Sequence, residues 1–165
     1  MSRIRLKEIP WRVMVRFAPE PWFIVFMRTI MVPTDRYLLA RTTGRYSLGG
    51  TTGAGTMLLT TTGRRTGKQR TTPLFFQDHS GAFTVVGSNF GHARHPAWSD
   101  NLLTHPQATV TAGNKVIPVT ARLLVGDEHD AVWRSVVQYG PAYQNYLDRS
   151  GRSFRIFALE PAEHA

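Results

Sequence analysis

Between residues 56 and 125 the chain alternates short β-branched runs with glycine-bearing turns, and this alternation constrains its fold most. Residues 56–62 read TMLLTTT and residues 70–77 read RTTPLFFQ, with Gly63-Arg64-Arg65-Thr66-Gly67-Lys68 between them. A third run at 82–88 reads AFTVVGS, and residues 108–112 face residues 115–125 across Gly113-Asn114. Such runs, joined by glycine turns, predict antiparallel hairpins. Residues 154–159 supply a closing strand. Six strands with sparse helices predict a mainly β, α+β chain built on a small, mostly antiparallel barrel.

Helical patterning is confined to a few places. Residues 96–103 begin with a proline suited to a first turn and set Trp98 and Leu102 four apart on one face. In the helix that starts at Asp127, that residue is the expected N-cap. Val132, Trp133, Val136 and Val137 form its apolar stripe, and Gly140-Pro141 stops it. A short aromatic segment carrying Tyr143 and Tyr146 follows.

Residues 1–50 read as an N-terminal apolar-basic helical segment, and residues 51–165 as the barrel domain. Pro10 and Pro21 sit where first turns tolerate proline, giving expected helices at 11–18 and 21–32, the second ended by Pro33. After Pro21 that helix has only Arg28 and Thr29 as polar residues, so it is expected in a core or an interface. Residues 35–41 form another short expected helix, and a glycine-rich linker spans 44–55.

Charge is uneven. Thirteen Lys and Arg against three Asp and Glu leave residues 1–75 at +10, whereas seven against eight leave residues 76–165 at −1. One face is therefore expected to meet an anion, be it nucleic acid, lipid headgroups or a phosphate-bearing small molecule. The longest apolar run, residues 22–27, stops at Arg28, far short of the roughly 20 residues of a membrane span. Neither a clean hydrophobic signal region nor a small-residue cleavage site is seen, so no secretory signal is expected. The absence of cysteine removes disulfides and thiolate chemistry. The six histidines show no HExxH spacing, no GxSxG elbow occurs, and the carboxylates are few and scattered. No metal is expected. A chain with so little chemistry of its own that acts as an enzyme depends on a cofactor, for which it supplies binding and orientation.

Three constellations are candidates for that role. The hairpin at 63–70 places Arg64, Arg65, Lys68 and Arg70 within seven residues, where free backbone amides and guanidinium forks could grip phosphate. The plain alternative is a charged turn in water, and the spacing is not that of a Walker loop. Gly87-Ser88-Asn89-Phe90-Gly91 leaves a strand and leads to His95-Pro96-Ala97-Trp98, a helix start that can bring backbone donors near a ligand. Tyr139, Tyr143 and Tyr146 are either core or the wall of a pocket for an aromatic or quinone-like molecule.

Residues 56–110, TMLLTTTGRRTGKQRTTPLFFQ followed by FTVVGSNFGHARHPAWSDNLLTHPQATV, closely resemble the deazaflavin-dependent nitroreductase family of split β-barrel flavin and deazaflavin oxidoreductases. The likeness continues more weakly through residues 138–146 (QYGPAYQNY) to residues 154–161. It implies an FMN-binding-like split barrel using coenzyme F420, an 8-hydroxy-5-deazaflavin. On this resemblance Arg65, Thr66, Gly67, Arg70, Thr72 and Pro73 hold the coenzyme, whose phosphate and oligoglutamate tail are anionic. Ser88, Asn89, Gly91, Ala97 and Trp98 lie against the deazaflavin or its phosphate. Tyr139, Tyr143 and Tyr146 line the substrate pocket, and Tyr143, Tyr146 or Ser88 positions the acceptor or supplies a proton. Phe90 stands where many members have glycine, and Asn89 where some have lysine.

The implied activity is hydride transfer from reduced coenzyme F420 to a nitro compound, a quinone or an activated alkene. The alternatives are FMN in the same barrel, or a non-catalytic basic module for membrane or nucleic acid. The sequence has no recognition helix and no aromatic-basic strand signature for nucleic acid. A cytoplasmic protein is expected, with peripheral contact at the inner face of the membrane through residues 1–32 and, by analogy with related split barrels, a homodimer.

Overall fold

The computed structural model describes residues 20–47 and 55–162. Six strands, β1 (Gly55–Thr62), β2 (Gln69–His79), β3 (Ala82–Val86), β4 (Gln107–Ala112), β5 (Lys115–Leu123) and β6 (Ile156–Pro161), close a barrel in the order β1-β2-β3-β6-β5-β4. Every pairing is antiparallel. Two tight turns set the register. Ala112 faces Lys115 across Gly113 (φ 53°) and Asn114 (φ 69°), and His79 faces Ala82 across Ser80 (φ 55°) and Gly81 (φ 81°). Paired positive φ angles give the hairpin twist that matches the strands they join.

Alternation then decides what each strand buries. Met57 and Leu59 of β1 meet Val85, Val110, Val119, Phe157 and Leu159 in the barrel core. Strand β6 is buried on both faces. Phe157 and Leu159 point into that core, while Ile156 and Ala158 pack under Val132 and Val136 of the helix Gly126–Tyr139. The helix that the four-residue spacing predicts forms at Ala97–Thr104, and its Trp98 and Leu102 join the core.

The N-terminal half of the described chain departs from expectation. Pro33 does not end a helix. One continuous rod runs from α1 (Pro21–Phe26) through a π-helical turn at Met27–Met31 into α2 (Val32–Arg41). Pro33 follows directly on the π turn, in which the Val32 N–H reaches back five residues to the Met27 carbonyl, and this widened frame accommodates a residue with no N–H to donate. This helix is also not buried all round. Ile24 and Met27 are 8% and 6% exposed, yet Trp22, Val25 and Ile30 stand 59%, 59% and 52% exposed.

The expected linker is not one at its ends. Gly44 (φ 80°) packs so tightly that a Cβ there would lie 2.7 Å from Ala112 Cα, and Gly55 opens β1. The backbone amides of Gly113 and Asn114 donate to the carbonyls of Gly44 and Thr43. The expected helix at 11–18 lies outside the described residues. After α3 (Ala97–Thr104) comes α4 (Gly126–Tyr139), whose N-cap is Val125 without a side-chain cap bond, so Asp127 sits inside the first turn and not at its cap. Gly126 (φ 59°) makes the entry bend that an aspartate cap would otherwise have started one residue later. Helix α5 (Ala142–Ser150) carries Tyr143 and Tyr146 on one face, their rings 6.1 Å apart and T-shaped.

Candidate functional site

Two concavities meet on one side of the barrel. A cleft of about 1170 Å³ runs between the β1–β2 hairpin, α2 and the start of α3, and includes Arg36, Arg64, Arg65, Thr66, Arg70 and Ala97. A smaller, mainly apolar cavity of about 330 Å³ lies under the N-terminal helix, walled by Phe23, Met27, Met31, Phe90, Tyr143 and Tyr146. Val32, Thr72 and Trp98 belong to both walls, so the two spaces adjoin there.

The hairpin is anchored by α3. Asn101 Oδ1 accepts from the Arg64 amide at 3.0 Å, and Asn101 Nδ2 donates to Thr61 Oγ1 at 2.9 Å. Asp100 takes ion pairs from Arg64 at 3.4 Å and Arg155 at 2.7 Å. Most of the turn's backbone amides, expected to be free, are engaged. Gly63 donates to the Lys68 carbonyl, Thr66 and Gly67 donate to the Gly63 carbonyl, and Lys68 N reaches Thr66 Oγ1. A closed hairpin turn uses most of its own amides, so anion binding falls mainly to the side chains. Among the described residues, Arg36, Arg65 and Arg70 have no acidic partner within ion-pair distance, and all three line the cleft. Uncompensated guanidinium forks around an open cleft suit a multiply charged phosphate or carboxylate ligand.

The cavity is built differently. Ser88, Asn89 and Phe90 leave the end of β3 in a turn whose Asn89, Phe90 and Gly91 have φ of 48°, 53° and 76°. Phe90 therefore holds the left-handed conformation that a glycine would adopt freely, at a cost of roughly 1–2 kcal/mol. Its ring contributes in return, packing edge-on against Tyr146 at 6.3 Å. Arg28 of the π turn donates to His92 Nε2, tying the N-terminal helix to this loop.

Tyr143 and Tyr146 stay protonated far above neutrality. Burial pushes both phenols up to about 12, reinforced for Tyr143 by its neighbour Tyr146 and opposed for Tyr146 by Arg149, whose guanidinium lies 5.6 Å over the ring. Both are hydrogen-bond donors at physiological pH. Burial, followed by Arg152 and Arg155, holds His95 below the ordinary imidazole range despite Asp100, which keeps that ring neutral.

The sequence-predicted residues divide cleanly. Arg65, Thr66, Arg70 and Ala97 line the cleft; Pro73, Ser88, Asn89, Tyr143 and Tyr146 line the cavity; Thr72 and Trp98 join the two. Gly67, Gly91 and Tyr139 stand outside both walls. Gly91 supports from behind, since a Cβ there would lie 3.0 Å from the Tyr146 carbonyl. Phe23, Met27, Arg28, Asp35 and Arg36 were not anticipated. They come from a helix whose docking over the barrel no local pattern announces.

Thr56 was missed as well. Its Oγ1 is buried without a hydrogen-bond partner, and the residue belongs to the cavity wall. Thr84 Oγ1 is equally unpaired but lies away from both spaces. Valine at either position is expected to raise thermal stability by about 1 kcal/mol, because an isosteric methyl removes an unsatisfied buried group. Only Thr56→Val should also weaken ligand binding. Equal binding by the two variants would make the Thr56 hydroxyl irrelevant to the site.

A model of the family described as F420H(2)-dependent quinone reductase matches residues 34–161. An F420H(2)-dependent quinone reductase of Mycobacterium tuberculosis is 32% identical over 106 residues, covering 62% of this chain and 71% of that protein. Among solved structures, one described as an F420-H2 dependent reductase, FDR-A, is 36% identical with a TM-score of 0.58, covering 64% of this chain and 93% of the other. Another, described as a domain-swapped dimer, is 35% identical with a TM-score of 0.62, covering 78% and 94%.

Proposed function

The chain belongs to the F420H(2)-dependent quinone reductase family, and from that premise we propose that its apolar cavity takes a lipophilic quinone while its cationic cleft holds the charged arm of the coenzyme. The protein is a coenzyme F420-dependent oxidoreductase acting on quinone-like acceptors. The observation that carries the finer reading is the junction at Val32, Thr72 and Trp98, where a cleft with unpaired arginines adjoins a mainly apolar cavity. The coenzyme has the same two-part character, an anionic tail on a flat ring.

The residues present fit that group. Arg65 and Arg70, with Arg36 from across the cleft and Thr66 on the turn, are placed to bind phosphate and carboxylate oxygens. Thr72, Pro73 and Trp98 offer a strand edge and an indole at the junction, against which a planar ring can lie. When bound, the reduced coenzyme supplies a hydride from C5 of its deazaflavin. Ser88 and Asn89 orient the acceptor from one side of the cavity, and Tyr143 and Tyr146 from another. Either tyrosine holds a proton at its phenol oxygen for the oxygen of the reduced acceptor. Phe23, Met27 and Met31 roof the cavity and exclude water. Holding donor and acceptor in attack geometry can contribute roughly 7–11 kcal/mol to lowering the barrier.

Membrane contact is part of the proposal. None of the described helices is long and apolar enough to cross a bilayer. Trp22, Val25 and Ile30 nevertheless form an exposed apolar face on the helix whose inner side roofs the cavity, and Arg41, exposed at the far end of the same rod, adds positive charge. That combination suits peripheral attachment to an anionic lipid surface, here the inner face of the cell membrane. Oxidation of the reduced coenzyme should be faster with a long-chain quinone in anionic vesicles than with the same quinone headgroup lacking its tail. Equal rates would remove the membrane contact, and no oxidation by any quinone would remove the acceptor class.

A further inference from the structure

The loop at residues 87–95 supplies Ser88, Asn89 and Phe90 to the cavity wall, yet it contains three consecutive left-handed residues and lies outside regular secondary structure apart from one short turn. Its own bonds are few: Gly91 N to the Ser88 carbonyl, His92 N to the Asn89 carbonyl, and Asn89 Nδ2 to the Arg94 carbonyl. Something outside the loop must hold it. Gly87 N donates to the Arg155 carbonyl and Arg28 reaches His92 Nε2, but the group that gathers both ends of the loop is one guanidinium.

Arg152 lies just beyond the C-terminus of α5. Its Nε donates to the His92 carbonyl at 3.0 Å. Its Nη1 reaches His95 Nδ1 at 3.0 Å and its neighbour Ser153's carbonyl at 3.3 Å. Its Nη2 reaches the carbonyls of Gly87, Ser88 and Arg94 at 3.1, 3.2 and 3.2 Å. Five of these acceptors span both ends of the loop, and the guanidinium carbon sits 4.8 Å over the Phe154 ring, which fixes the plane of the fork. Arg149, in the last turn of α5, fastens the apex by donating to the Phe90 carbonyl at 2.9 Å.

We propose that Arg152 is a positioning residue for hydride transfer: it touches neither ligand but sets the backbone that aims Ser88 and Asn89 into the cavity. The proposal rests on the functional reading above. The geometry requires arginine in particular, because a planar fork reaches acceptors on several sides at once, whereas an ammonium is a compact point charge. A strained loop persists only where its surroundings over-determine it, and such loops concentrate at functional sites.

The test is Arg152→Lys, which keeps the charge and loses the fork. Amide hydrogen exchange in residues 87–95 should accelerate while the barrel strands stay protected, a readout that requires no turnover. The catalytic efficiency toward a quinone should fall by about 10- to 100-fold, the range expected when a reacting geometry slips by an ångström. Guanidinium ion should restore part of the activity of Arg152→Ala, and methylammonium should not. Unchanged exchange in the loop would overturn the proposal, as would a loosened loop with undiminished catalytic efficiency. Turnover by the parent chain in the same assay separates failure of the functional reading from failure of the clamp.

Discussion

Replacing Arg65 and Arg70 together with alanine is expected to weaken coenzyme F420 binding by about 100-fold while leaving the fold intact. Each guanidinium lines the cleft without an acidic partner among the described residues, so its removal breaks no ion pair of the protein. Hydrogen bonds to charged groups contribute roughly 1.5–3 kcal/mol each. Both arginines are exposed, which screens them and places the pair near the lower end of that range. Removing two such bonds corresponds to about two decades in Kd. The effect should shrink as salt is raised, since the parent chain's own binding weakens with screening.

Arg64 behaves differently by position, because its charge already faces Asp100. Arg64→Ala should cost less affinity than either cleft arginine. A double Arg65/Arg70 variant with parental affinity at low salt would show that the cleft does not bind the anionic arm.

The largest stability effect is expected at Trp98. This side chain is 6% exposed, packs edge-on against Phe157 at 5.9 Å, and stands in the barrel core beside Leu102. Truncating a buried aromatic to alanine costs about 3–5 kcal/mol, which in a chain of this size lowers Tm on the order of 10 °C. The same residue walls both the cleft and the cavity, so binding should fail even below the melting transition. Trp98→Phe keeps most of the buried area and should recover more than half of the lost stability while still impairing the junction. A Tm within two or three degrees of the parent for Trp98→Ala, about 1 kcal/mol or less, would place the indole outside the core.

These two positions also show what could be read from the sequence alone. The strands were legible because β-branched runs and glycine turns are local signals. The Gly113-Asn114 turn fixes the β4–β5 register, and the dense cluster of cations at 64–70 marks the cleft. The spacing of Trp98 to Leu102 made the helix legible, but the depth at which the indole packs in the core was not. The path of the N-terminal helix was not legible either, because the π turn at Met27–Met31 widens the frame just before Pro33 and the helix runs on through it. No composition rule anticipates that adjustment.

Long-range contacts were invisible for a related reason. Arg152 is one basic residue among many until the fold brings residues 87–95 within reach of its fork, some sixty positions earlier in the chain. The hairpin stands where the sequence puts it, but its chemistry belongs to different atoms. Closure of the turn occupies most of its amides, and the guanidinium groups of Arg65 and Arg70 are left for the cleft. The roof of the cavity depends on Ile24 and Tyr146 sharing an apolar cluster, which is a property of docking and not of either segment.

If cleft and cavity together hold a deazaflavin coenzyme, a titration of the intact chain with oxidised coenzyme F420 and, separately, FMN, followed by tryptophan fluorescence, will show it. Trp98 at the junction should be quenched saturably by the deazaflavin, with little response to FMN. Tighter binding of FMN, or no quenching by either ligand in a chain shown to be folded, would contradict that assignment and leave the arginines around the cleft as a charged surface.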